Sequence, residues 1–252
     1  MYTKNKAVKI IISDTIDEVL ASLAEYFIAS ANDSILKNGS FTVALSGGTS
    51  PKRFYSLLTT TPYKERVDWT KLFFFFGDER YVPATNPASN FQMVKKVLFE
   101  PLDIDMSRVF PVNTTLAPND AALQYTNDIK QYFKGDEPIF DLVLLGLGDN
   151  SHTASLFPHT GILQEQEAAV KAVFLTDQQV YRISFTAPLI NLAPRIAFLV
   201  YGEAKSAAVY NVLEGNGDPE NYPAQLIQTE KGDVQWFIDR AAAAKLKNAA
   251  ES

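Results

Sequence analysis

The loop Gly146-Leu-Gly-Asp-Asn-Ser-His152 gathers the groups of this chain best suited to moving a proton. It follows the apolar run Phe140 to Leu145 and brings an acid, an amide, a hydroxyl and an imidazole close together. His152 is one of two histidines in the sequence, and the other, His159, lies in the same segment. An imidazole titrates near neutral pH, so His152 is a candidate general base or acid. The chain has no cysteine, hence no thiolate nucleophile and no disulfide. The Gly-x-Ser-x-Gly elbow of a serine hydrolase is absent. The glycine spacing approaches a dinucleotide fingerprint, but it lies in mid-chain and Pro158 would cut short the helix that such a site needs. Proline also separates His152 from His159, with no third ligand evident, which argues against a metal.

Two further loops carry chemistry. In Ser46-Gly-Gly-Thr-Ser50, closed by Pro51, the glycines let a ligand approach the backbone, the hydroxyls donate and a helix N-terminus favours an anion. Ser46, Gly47, Gly48, Thr49 and Ser50 are therefore candidate phosphate contacts, although a tight strand-to-helix turn would need the same glycines. The loop lacks the Gly-Lys-Ser/Thr ending of a Walker A motif. In Gly77-Asp-Glu-Arg80, Arg80 offers a planar fork for an anion, with the neighbouring acids Asp78 and Glu79 to hold it in place; a solvated charged turn is the plainer account. Arg182, Arg195 and Lys205 are further candidate cations. Lys205 opens a helix, where a cation works against the macrodipole unless a ligand rewards it.

These loops need a scaffold of alternating elements. Strands are expected at Val8 to Ile12, Phe41 to Leu45, Leu72 to Phe76, Phe140 to Leu145, Ala169 to Leu175, Tyr181 to Phe185, Arg195 to Tyr201 and Val234 to Ile238. A helix capped by Ser13 or Asp14 runs to about Leu36 and stops near Gly39. Others cover Lys52 to Leu58, a stretch opened by a Ser89–Gln92 capping box and ended by Pro101, and one capped by Asn119 or Asp120 and closed by Gly135. The last are Lys205 to Leu213, a turn at Tyr222 to Ile227 and the alanine-rich tail from Asp239. This alternation predicts an α/β fold, a doubly wound, mostly parallel sheet with helices on both faces, in one domain over 1–252.

With 252 residues, 46% apolar and 21% charged, the chain has the balance of a globular protein. A net charge of −6 argues against nucleic acid or an anionic membrane as partner, so positive charge for an anionic ligand must be gathered locally. The apolar run within Met1 to Ser13 is too short for a signal peptide, and no stretch approaches the roughly 18 apolar residues of a membrane span. A cytoplasmic protein is expected.

In order, Leu45-Ser-Gly-Gly-Thr-Ser-Pro51, Phe76-Gly-Asp-Glu-Arg80, Ser89-Asn90, Gly146-Leu-Gly148, His152-Thr-Ala-Ser-Leu-Phe-Pro158, Arg182-Ile-Ser, Pro188-Leu-Ile-Asn191, Gly202-Glu-Ala-Lys205 and Pro223-Ala224 resemble the 6-phosphogluconolactonases over nearly the whole chain. The resemblance implies a Rossmann-like three-layer sandwich and cofactor-free hydrolysis of a small sugar phosphate lactone, 6-phospho-D-glucono-1,5-lactone, by a monomer or homodimer. It casts His152 as the base that activates water, Arg80 as steadying substrate and oxyanion, and the Ser46–Ser50 loop with Lys205 and Arg182 as holding the phosphate. Asp78 joins the binding set. The family usually reads Gly-x-Gly-x-Asp-Gly-His, whereas Asn150 and Ser151 precede the histidine here. An acid before the histidine would orient it, a role left to Asn150 or to Asp149. Two alternatives are a glucosamine-6-phosphate deaminase of the same fold, whose Asp-Gly-His-Ile-Ala-Phe-Asn-Glu-Pro string is not matched, and a non-catalytic sugar-phosphate-binding protein.

Overall fold

The structure is a computed structural model that describes residues 8–247; the start of the Met1 to Ser13 stretch and the end of the alanine-rich tail lie outside the described residues. In chain order the strands are β1 (Val8–Ser13), β2 (Phe41–Leu45), β3 (Leu72–Phe76), β4 (Asp78–Arg80), β5 (Leu142–Leu145), β6 (Val170–Leu175), β7 (Val180–Phe185), β8 (Arg195–Val200) and β9 (Asp233–Asp239). Six of them form a wholly parallel sheet in the order β1-β9-β8-β5-β2-β3.

Its two middle strands are apolar without interruption over Leu142 to Leu145 and Ile196 to Val200 because both faces are covered. Val43, Leu142 and Leu144 point into one core with Val19, Leu23 and Phe27 of the helix Ile16–Asn38. Their neighbours Ala44 and Val143 point into the opposite core with Tyr125 and Ile129 of the helix Pro118–Tyr132. β3 lies to one side of β2, whereas β5 and β8 lie to the other. Loops leaving the carboxyl ends of β2 and β5 therefore diverge and open a crevice, the usual ligand position in such sheets.

The remaining strands correct the sequence reading. β6 and β7 do not join the parallel sheet. The connection Thr176 to Gln179 is too short for a parallel crossover, so the two form a hairpin, and β4 adds to it as a separate three-stranded antiparallel sheet, β4-β7-β6. Gly77 is the corner at which the chain passes from one sheet to the other: its N–H bonds Leu45 O at 2.9 Å and its carbonyl accepts Phe185 N–H at 2.8 Å.

Helix starts also differ from expectation. Thr15, not Ser13 or Asp14, caps the first helix, accepting Glu18 N–H at 3.2 Å while Glu18 accepts Thr15 N–H at 2.9 Å. The helix Pro118–Tyr132 has Ala117 at its N-cap, because proline at the first position needs no donor there, so Asn119 and Asp120 fall inside its first turn. The helix Thr49–Leu58 begins earlier than Lys52. Ser89 caps Asn90–Val94, which widens into a π-helical turn over Lys95–Phe99 before Pro101. The tail helix is short, Arg240–Ala243, capped by Asp239. Replacing Thr15 by alanine removes the reciprocal cap and is expected to lower unfolding free energy by about 1 kcal/mol in urea denaturation.

Candidate active site

Loops from the carboxyl ends of β2, β3, β5 and β8 meet around a cavity of about 390 Å³. Ser46, Gly47, Gly48, Thr49, Ser50, Asp78, Arg80, His152, Arg182 and Lys205 all line it, so residues far apart in the chain share one site.

The β2 loop is held from below. Buried Tyr55, in the second turn of the following helix, accepts Ser46 N–H and donates to Ser46 O, both at 2.9 Å. Gly47 is required because a Cβ there would lie 1.8 Å from Asn90 Oδ1. Gly48, at φ +104°, is the N-cap of Thr49–Leu58 and brings no side-chain cap. The first-turn N–H groups thus remain available at the cavity, where the helix dipole favours an anion.

β4 and β7 present the guanidiniums. Arg80 is paired directly across the ladder from Arg182 of β7, a placement of like charges that is unfavourable without an anion between them. Arg80 donates to Ala88 O at 2.8 Å and Arg182 to Gln178 Oε1 at 3.1 Å; among the described residues neither has a carboxylate within ion-pair distance. Burial, and then the charge of Arg80, lowers the pKa of Arg182. Asp78 lies beneath them, buried, with Oδ2 accepting Ser155 Oγ–H at 2.8 Å and Oδ1 accepting Asn90 Nδ2–H at 3.3 Å. Burial pushes its carboxyl above the usual range, against the Ser155 bond and the two arginines.

The sequence reading took Glu79 only as an acid beside Arg80, and Asn90 only as part of the resemblance. Buried Glu79 accepts the N–H groups of Arg80 at 2.8 Å, Asn90 at 2.6 Å and Phe91 at 2.8 Å, together with the Ser89 hydroxyl at 3.0 Å. It therefore fastens the Ser89–Phe91 turn to β4. The capping signal at Ser89 was visible in the sequence, but the long-range carboxylate that completes it was not.

The β5 loop positions the His152 imidazole. Gly148 N–H bonds His152 O at 2.8 Å and Ser151 N–H bonds Gly148 O at 2.9 Å, which folds the imidazole back over Gly148. A Cβ on Gly148 would come within 2.1 Å of His152 Cε1 and Nδ1. The imidazole also stacks on Phe157, with ring centroids 4.0 Å apart at 18°. Asn150 Oδ1 lies 2.5 Å from His152 Nδ1 and also accepts the His152 backbone N–H at 3.3 Å. Bonding to a backbone donor identifies that atom as the amide oxygen. Nδ1 therefore carries the proton and Nε2 keeps its lone pair. Burial first, then the charges of Lys205 and Arg182, push the imidazole down to about 4; Asp149 opposes this.

Asn150 thus reaches the imidazole, and Asp149 does not. Asp149 pairs with Lys205 at 2.6 Å. Lys205 stands beyond β8 on a turn whose Gly202 N–H is held by Asp239 at 3.0 Å. Two candidates lie elsewhere: Arg195 opens β8 and pairs with Asp33 at 2.5 Å, and exposed His159 faces Glu220 at 3.3 Å. Ser151, standing where the resemblance leads one to expect glycine, has φ +62°, the left-handed region that glycine adopts without strain.

The family model for glucosamine-6-phosphate isomerases/6-phosphogluconolactonase matches residues 14–236. The chain belongs to this family. Among relatives, the 6-phosphogluconolactonase of Synechocystis sp. is 39% identical over 218 residues, covering 85% of this chain and 88% of that protein. That of Nostoc sp. is 35% identical over 233 residues, covering 90% and 94%. The solved 6-phosphogluconolactonase from Trypanosoma cruzi superposes with a TM-score of 0.83 at 28% identity, covering 97% of this chain and all of that one. The expected α/β sandwich of this isomerase/lactonase family is thus the fold found.

A methyl group at position 148 must displace the imidazole. Gly148→Ala is expected to leave the thermal transition within a few degrees of the parent while lowering turnover by about 100-fold or more, as base misplacement does; melting and initial-rate assays on the same preparation separate the two effects.

Proposed function

We propose that the chain hydrolyses 6-phospho-D-glucono-1,5-lactone to 6-phosphogluconate, with His152 as general base. The observation that carries this reading is an imidazole with its tautomer fixed by Asn150, set in a cavity that also gathers Arg80, Arg182, Lys205 and the N-terminus of the helix Thr49–Leu58. Water gives a proton to Nε2 as its oxygen bonds to the lactone carbonyl carbon. The bond from that carbon to the ring oxygen then breaks, and the imidazolium returns the proton to the departing oxygen. Only water is consumed. Arg80 with backbone donors steadies the oxyanion, while Ser46 to Ser50, Lys205 and Arg182 hold the phosphate. Asp78 acts from beneath by fixing Ser155 and Asn90.

The depressed pKa keeps the imidazole available as a base while reducing its strength toward water. At neutral pH the base is unprotonated, and once protonated it is a strong acid for an alkoxide leaving group. The reading extends to one working unit over 1–252, needing no cofactor, in the cytoplasm as a monomer or homodimer. Among the described residues no helix is long and apolar enough to cross a membrane.

The deciding assay follows decay of the phosphorylated lactone against its spontaneous hydrolysis. The parent protein accelerates it and His152→Ala loses about 100- to 10,000-fold in kcat/KM; a parent rate equal to background sinks the proposal.

Because protonation removes the base, kcat/KM is expected to fall as pH drops through about 4 rather than through the ordinary 6.5. In Asn150→Asp a carboxylate beside Nδ1 favours the cation, so this acid limb moves up by about one to three pH units. A limb that stays in place would show that position 150 does not govern the imidazole.

A further inference from the structure

Of the three cations lining the cavity, Arg80, Arg182 and Lys205, only Lys205 has a carboxylate within ion-pair distance among the described residues. That partner, Asp149, is not part of the cavity wall, and its side chain is 75% exposed against 27% for Lys205. The lysine thus faces the ligand while the carboxylate holds it from the solvent side. Asp149 also neighbours Asn150, so the pair is fixed to the turn that carries His152.

We propose that Asp149 is a specificity-determining residue: it competes internally with the ligand's anionic groups for Lys205 and thereby weakens retention of the charged product. This inference rests on the lactonase reading. A phosphate approaching Lys205 must share that ammonium with Asp149 or displace it, and the Asp149 charge repels every anionic group in the cavity. The lactone is anionic only at its phosphate, whereas ring opening adds a carboxylate. The penalty therefore falls harder on product than on substrate, which favours discharge of 6-phosphogluconate. Exposure and screening limit the effect to that of a surface ion pair, about two- to fivefold in affinity.

A purely positioning role for Asp149 predicts the opposite sign, because freeing Lys205 would then weaken anion binding. Asp149→Asn and Asp149→Ser are exposed, conservative changes with which to measure it. The inhibition constants of 6-phosphogluconate and inorganic phosphate are expected to fall about two- to fivefold, the first by more than KM for the lactone, with the difference shrinking as ionic strength rises. Constants that rise or stay unchanged in both variants overturn the proposal. Calorimetric titration with inorganic phosphate needs no turnover, so it reports on the Lys205 site even if the parent proves inactive on the lactone.

Discussion

A buried carboxylate ties the site together. Asp78 lies under two arginines and spends its oxygens on Ser155 and Asn90, so the loops after β3 and β5 and the helix Asn90–Val94 meet at one side chain. Asn90 passes the constraint to the β2 loop by occupying the space a Cβ on Gly47 would fill. Ser155 passes it to β7, since its N–H bonds Ser184 Oγ at 3.1 Å. Burying a carboxylate is costly unless hydrogen bonds and nearby cations compensate it. Those compensating groups are the ones that form the cavity, so the geometry of the site and the accommodation of Asp78 are a single arrangement.

The same region is out of electrostatic balance by design of its fold. Arg80 faces Arg182 across a ladder, an uncapped helix N-terminus opens nearby, and an imidazole is held unprotonated by burial and by these charges. This juxtaposition of like charges carries a repulsion that an anion would relieve. A protein whose net charge is −6 thus presents a local cationic site, which is how an acidic surface and an anionic small molecule become compatible.

Asn150 and Ser151 show two ways in which a departure from a family pattern is absorbed. Asn150 keeps the acceptor that an aspartate would place against Nδ1, so orientation survives, while the negative charge that would raise the imidazole pKa is absent. Ser151 keeps the turn at φ +62°, a conformation that disfavours a side chain, and the turn is held there by Ser151 N–H to Gly148 O and by Ala224 N–H to Ser151 O at 3.0 Å.

The sequence alone determined the strand-and-helix alternation, the parallel sheet and the loops that carry chemistry, because apolar periodicity, glycine and proline act locally. It also singled out His152, Arg80, Arg182, Lys205 and the Ser46–Ser50 loop. Three things were decided only by tertiary structure. β4, β6 and β7 left the main sheet, since the short β6–β7 connection permits only a hairpin and the pairing of Asp78–Arg80 with it is long-range. Asn150 rather than Asp149 met the imidazole, since a one-residue difference on a tight turn aims side chains in different directions. Glu79 and Asn90 acquired their roles from partners that sequence spacing does not bring to mind. Local pattern fixes which elements form; which side chains meet depends on how those elements pack.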